Sequence, residues 1–529
     1  MQNRTPVYLK PNIRIEPLFN QWRAWTHLIP PSTAAMNMLA KQIPLMESYL
    51  KEFHDPEDYA INSSLISKRA INYGVNKVDE IEALLDKTLK EQAKLVELAQ
   101  AIRQFSRVLL SQARGCSLEP LYQKLPMALR GFVELVYNFN NQPSIRFIES
   151  LIYTNYYKSS SQSVVLSLID NDKCPLNVRT PRLKSFDCIH LDLNFSHQGI
   201  DSLITSRRRP KTFNELKNAI QLDSKYERKF QLFVTKSPPL VSVKYDGKEI
   251  RIRFFGHACL LIESRDITIL VDPLISYKYH SQIERYSYLD LPEFIDYVLI
   301  THGHQDHFDL ESLIQLRYKI GKVVVPKNGS GLLGDPSLKL ILKNIGFENI
   351  IEIDEMGDLP IKDGTITAIP FLGEHSDLNI RAKTAYFISL KGRSILCLAD
   401  SCNIDPFLYQ HVHQLVGNVD ALFLGMECEG SSLSLANGPL IMSSIDREMD
   451  ESRRTKASNY RQGIEIVKQF NCKRVYIYAM GLEPWLHHLF GVVDTSKSRS
   501  IAECNSLVTE CKLRGIEADR LFGKQDIFL

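Results

Sequence analysis

The chain has 529 residues, 44% of them hydrophobic and 24% charged, with a formal net charge of +3. Such a length exceeds one ordinary core, so two globular domains are expected, and the near-balanced charge gives no pull toward nucleic acid or an anionic membrane. No apolar run is long enough to span a bilayer, Met1-Gln-Asn-Arg-Thr-Pro6 lacks an apolar signal core, and ten cysteines without a C-x-x-C pair fit reduced thiols, so a cytoplasmic protein with no nucleic-acid or membrane partner is expected.

Pro11, Pro17 and Pro30 break the first 30 residues, which read as irregular. Trp22 and Trp25, three apart, belong in a core or an interface. From Ser32 to Phe53 the apolar positions Ala34, Met38, Leu39, Ile43, Met46 and Leu50 repeat with helical period, with Ser32 as N-cap and Pro44 as a kink. A longer amphipathic helix is expected from Val78 to Ala113, serving as domain core or as the seam of a homodimer. Strands are expected at Arg146–Tyr153 and Ser163–Ile169, and the basic Arg207–Lys211 cluster reads as a solvated loop. Pro238-Pro239 places a boundary near residue 243, giving a mixed α+β domain over 1–243 and a second domain over 244–529.

The second domain is organised around Tyr297-Val-Leu-Ile-Thr-His-Gly-His-Gln-Asp-His-Phe308. Val298 to Thr301 read as a short buried strand that breaks at Gly303 and packs His302, His304, Asp306 and His307 into six positions. Imidazole suits zinc and iron, and an added carboxylate shifts the set toward harder metal ions. The run divides naturally, with His302 and His304 on one ion and Asp306 and His307 on a second. It resembles the metal motif of the metallo-β-lactamase superfamily, an αββα sandwich with one or two metals at its strand ends. Arg251–Cys259 and Ile267–Pro273 resemble that fold's opening hairpin and strand-ending aspartate, and Ile395–Asp400 its bridging aspartate. The superfamily pattern puts a third ligand in Phe371–Asp377, at Glu374 or His375, and a last one at His487 or His488, with His488 the preferred reading. Lys322–Pro326 reads as a strand and Asn328–Gly334 as a plain turn without P-loop spacing; Glu427–Glu451 reads as a long loop fit to be a lid, Arg461–Phe470 as a helix and Arg474–Tyr478 as a last strand.

Over most of its length the chain is also similar to the di-iron β-hydroxylases of nonribosomal peptide biosynthesis. The likeness lies in total length, in a large domain ahead of the metallo-β-lactamase-like one, in Tyr8–Asn12 through Trp25–Pro31, and in Ala479-Met-Gly-Leu-Glu-Pro-Trp485. It implies Glu374 as the third ligand, Asp400 as the bridge, two iron ions, O₂, and an external electron-donor protein. It also implies a substrate aminoacyl group held as a thioester on a carrier domain and hydroxylated at Cβ, with Glu374 and Asp400 the catalytic carboxylates and the first domain docking the carrier, dimerising, or both. With Asp306 and Asp400, Glu374 makes three carboxylates around two metals, a set that stabilises oxidised iron better than it serves zinc-hydroxide hydrolysis. The alternatives are a zinc-dependent hydrolase of lactone, phosphodiester or N-acyl-phospholipid type and a scaffold with a purely structural metal.

Overall fold

From Arg251 onward the chain alternates apolar strands with helices, and the computed structural model stacks two seven-stranded sheets face to face. It describes residues 5–54, 71, 73, 76–172, 176–490 and 498–529. The first sheet runs Ile350–Ile353, Ile320–Pro326, Ile295–Leu299, Thr268–Val271, Cys259–Glu263, Arg251–Gly256 and Gln525–Phe528. The second runs Asp358–Ile361, Gly364–Ile369, Ala385–Leu390, Arg393–Cys397, Ala421–Gly425, Arg474–Tyr478 and Glu517–Arg520. Ile252, Phe254, Leu260 and Ile269 from one sheet and Ile366, Tyr386, Ile388 and Phe423 from the other share one buried cluster. Helices such as Leu310–Leu316 and Tyr460–Gln469 cover the outer faces, so strands buried on both sides are mostly apolar. This is the expected αββα sandwich, and a mixed α+β region precedes it.

In that region several expectations fail for physical reasons. Residues 5–30 are ordered: Pro6–Leu9 and Ile13–Phe19 are strands, and Trp22 is buried on a short third strand. Pro17 is tolerated in mid-strand, its carbonyl accepting from Ala24 N–H at 2.8 Å. The helix after Pro30 begins at Pro31, so Ser32 lies inside it rather than capping it, and it passes through a π-helical segment, Met38–Gln42, before Ile43–His54. The long helix is two helices, Val78–Glu91 and Ala93–Gln112, parted at Gln92, whose Nε2–H donates to Ser161 Oγ at 2.8 Å. Ile81, Leu84, Leu95, Leu98 and Ile102 face the core.

Pro143–Phe147 is a strand, but Glu149–Tyr156 turns helical, while Gln162–Leu168 is the strand expected. The basic cluster is solvated only in part: Arg209 and Pro210 are exposed, but Arg207 is buried, its guanidinium 5.0 Å from the ring centre of Tyr288. The 427–451 segment carries short helices, Leu433–Asn437 and Arg447–Ser452, in place of a bare loop. One apolar cluster runs continuously from Val7 through the first domain's helices to Val298, Leu313 and Ile341.

Candidate metal centre

Every candidate metal group sits where strands of the sandwich end. The strand Thr268–Val271 delivers Asp272, fully buried, which accepts from Thr301 N–H at 2.8 Å and Thr301 Oγ at 2.7 Å. The same carboxylate lies 2.8 Å from His307 Nδ1 and fixes the imidazole with its hydrogen on that nitrogen. His307 Nε2 is thereby turned toward Asp400 Oδ2, 3.1 Å away.

Three overlapping groups of donors result, each with ligand atoms within 4.8 Å of one another: His302, His304, Glu374 and His375; His257, Asp306 and His307; and His302, His307 and Asp400. The third group shares one histidine with each of the others, so Asp400 lies between the two sets. His302, His304, Asp306, His307, Glu374 and Asp400 are therefore brought together.

The segment holding Glu374 departs from expectation. Adjacent residues on extended backbone face opposite ways, but Gly373, Glu374, Ser376 and Asp377 all have left-handed φ, between 54° and 68°. The coil swings Glu374 and His375 to the same side. Glu374 Oε1 lies 2.9 Å from His304 Nδ1, and Glu374 Oε2 lies 2.9 Å from His375 Nδ1. A side chain at Gly373 would collide with Cys402 Cβ at 2.6 Å, so the coil needs glycine there.

His488 is not brought to the site. Its Nδ1 lies 3.0 Å from the Trp485 carbonyl, so that nitrogen carries the hydrogen, and its Nε2 lies 3.2 Å from Arg14 Nη2, which donates to it. Both ring nitrogens are engaged, and neither His487 nor His488 belongs to a metal-capable group among the described residues. The residue found instead is His257, in the tight turn between Arg251–Gly256 and Cys259–Glu263, where its φ is 49°. Gly481 N–H donates to His257 Nδ1 at 3.2 Å, which puts the ring hydrogen on Nε2, an atom 3.0 Å from Asp306 Oδ2. His257 thus aims Asp306.

The chemistry of the set fits bound cations. Burial, with His307 and His304 alongside, pushes His302 well below the ordinary imidazole range, keeping it neutral as a ligand must be. Burial opposes charge on Glu374, but His304 and His375 hold its carboxyl well below the usual range. His302 Nε2 and Asp400 Oδ1 are buried without a hydrogen-bond partner among the described residues. A side-chain carbon at Gly425 would lie 2.8 Å from Asp400 Oδ1, so glycine keeps that carboxylate clear. A narrow cleft opens beside His304 and His375, walled by Leu338, Leu378 and Ile380 and by His27 of the first domain.

The first domain also grips the metal loop from behind. Asp309, two residues past His307, caps helix Leu310–Leu316 through Ser312 N–H at 2.8 Å and accepts from Arg23 Nη2 at 2.9 Å. Glu311 receives Arg14 at 3.0 Å, Arg23, and the Tyr277 hydroxyl at 2.7 Å, while Arg182 grips Glu16 through two bonds of 2.8 Å. All six charged residues are buried.

Comparison with known proteins matches residues 8–238 to the model described as "Diiron non-heme beta-hydroxylase N-terminal domain" and residues 251–426 to "Beta-lactamase superfamily domain". The chain is 34% identical, over 98% of its own length and 99% of the relative's, to the 4-amino-L-phenylalanyl-CmlP-peptidyl-carrier-protein 3-hydroxylase of Streptomyces venezuelae. It superposes with a TM-score of 0.90 and 33% identity, covering 99% of this chain and all of the other, on the crystal structure of CmlA, a diiron β-hydroxylase from Streptomyces venezuelae. This full-length likeness supports the hydroxylase reading over the zinc-hydrolase one.

Proposed function

We propose, on the premise that the chain belongs to the diiron non-heme β-hydroxylase family, that it hydroxylates the β-carbon of an aminoacyl group tethered as a thioester to a carrier domain of a nonribosomal peptide synthetase. The observation that carries this is Glu374: the left-handed coil presents a third carboxylate, beside Asp306 and Asp400, to a histidine-rich pair of donor sets. Two iron ions held there would supply reductive activation of O₂, with two electrons from an external donor protein.

In our assignment His302, His304 and Glu374 hold one ion, Asp306 and His307 the other, and Asp400 lies between. His375, 2.9 Å from Glu374, orients that carboxylate; Asp272 sets the His307 tautomer; and the His257 Nε2–H keeps Asp306 from turning into solvent. Leu338, Leu378 and Ile380 exclude water from the side of the cleft where the aminoacyl side chain would lie. We place the division between domains at residue 243, between the strands Val234–Thr235 and Arg251–Gly256, and assign the first domain to carrier docking and to a homodimer contact.

The test mixes iron-loaded, chemically reduced protein with O₂ and either free amino acids or the same amino acids tethered to a carrier domain. Mass spectrometry should report a gain of one oxygen on the tethered substrate alone. Efficient oxidation of the free amino acid would defeat the proposal.

A further inference from the structure

The buried arginines of the Arg207–Lys211 cluster take no part in the metal centre. Arg207 and Lys319, each 3% exposed, and the half-buried Arg208 line a small space between the first domain and the end of helix Leu310–Leu316, under Ile204, Leu289 and Leu316. Arg207 donates from Nη1 to Gln315 Oε1 at 2.7 Å and from Nη2 to the Ile13 carbonyl at 2.6 Å. Arg208 donates from Nη2 to the carbonyls of Leu289, at 2.7 Å, and Leu291. Lys319 Nζ donates to the Pro292 carbonyl at 2.6 Å.

Those contacts leave Arg207 Nε and Arg208 Nε and Nη1 buried without acceptors among the described residues. They also leave both guanidinium groups without a paired carboxylate among the described residues, and the Tyr277 and Tyr288 rings beside Arg207 offset its charge only in part. The acids nearby are engaged elsewhere: Glu293 pairs with Arg209 at 3.5 Å, and Asp290 accepts from Ser287 N–H and Oγ–H at 2.8 Å.

We propose that this space binds one small monovalent anion of chloride size, held by Arg207 Nε, by Arg208 Nε and Nη1, and by the Lys319 ammonium. The space admits little more than one water-sized particle, which excludes phosphate and other oxyanions with four bulky oxygens. A water molecule there accepts from two of the three N–H groups and leaves the positive charge uncompensated; an anion answers both deficits. Burial, with Arg208 beside it, pushes the Lys319 ammonium well below its ordinary value, the alternative by which the fold sheds charge when no anion is bound. The anion would join Arg207, which also reaches Ile13 of the first domain, to Lys319 just beyond the helix that follows the metal loop.

The experiment uses the full-length, iron-loaded protein. Thermal unfolding is followed in mixtures of sodium chloride and sodium gluconate at constant ionic strength, and crystals soaked in sodium bromide are measured at the bromine edge. The expected results are a bromide peak between Arg207 and Arg208 and a folded-to-unfolded ratio that rises about tenfold for each tenfold of chloride above its dissociation constant. In Arg208→Gln that chloride dependence should be lost; if this variant does not fold, the titration and the bromide map of the unsubstituted protein decide. Absence of a bromide peak, together with identical unfolding in chloride and gluconate, would overturn the proposal in favour of a water molecule and a neutral lysine.

Discussion

Asp272→Asn is the substitution that isolates how the protein aims its metal ligands. It keeps the shape of a fully buried side chain while replacing one acceptor oxygen by an amide donor. If the new amide takes the Oδ2 position, it faces the Thr301 hydroxyl at 2.7 Å and His307 Nδ1 at 2.8 Å, so the imidazole must move its hydrogen to Nε2, the nitrogen that points at Asp400. If the amide flips, it confronts the Thr301 N–H instead, donor against donor at 2.8 Å. Either arrangement forfeits a buried charge-assisted hydrogen bond, about 1–3 kcal/mol, and an orienting partner whose loss weakens metal binding about 10–100-fold. The assay is iron content after dialysis against graded chelator, with unfolding in urea run in parallel to separate folding from binding. An Asp272→Asn protein that retains two irons at unchanged affinity would refute the claim that this carboxylate sets the His307 tautomer.

Glu374→Ala should abolish hydroxylation and release iron from the first set, whereas His375→Ala should reduce turnover about 10–100-fold as a positioning partner does; equal losses of metal in both would make His375 a ligand. His488→Gln should keep two metals, because Arg14 and the Trp485 carbonyl already occupy both ring nitrogens, and loss of one metal on elemental analysis would return His488 to the ligand set. Burial works against an ionised Glu16, but Arg182, Arg14 and Arg23 hold its carboxyl well below the ordinary value of 4.5. A depressed carboxylate adds stability above its unfolded value that disappears as pH falls through the folded one. Urea midpoints should therefore fall below pH 4.5, and less so in Glu16→Gln; parallel curves for the two proteins would contradict the assignment.

The compact run from His302 to His307 was readable because its donors are contiguous and follow an apolar strand. Asp272 and Asp400 were readable for a similar reason, as carboxylates at the ends of apolar segments. The choice between Glu374 and His375 came from the family resemblance and not from the residues themselves, and the left-handed coil that turns both side chains to one side was not readable. His257 was hidden because its partner Asp306 lies on a different loop and only the sheet register joins them. In the first domain Pro17 disguised a strand that tertiary pairing with Gln162–Leu168 sustains. The break at Gln92 carries neither glycine nor proline, and it is stabilised by Ser161, far along the chain. The Arg207 cluster looked solvated because charge density alone does not reveal that Tyr277 and Tyr288 await the guanidinium.

The six buried charges behind the metal loop have a consequence for inheritance. Asp309 and Glu311 are given by the catalytic half, and Arg14, Glu16, Arg23 and Arg182 by the other. A catalytic half released from its companion would expose those two carboxylates together with the apolar surface that both halves share, and removing one side of a buried pair costs about 3–5 kcal/mol. The two halves are therefore expected to melt in a single transition. Recombination that exchanged one half between relatives would survive only where the partner half already carried the matching charges, which makes the whole chain, not the metal-binding sandwich, the unit that evolution can move.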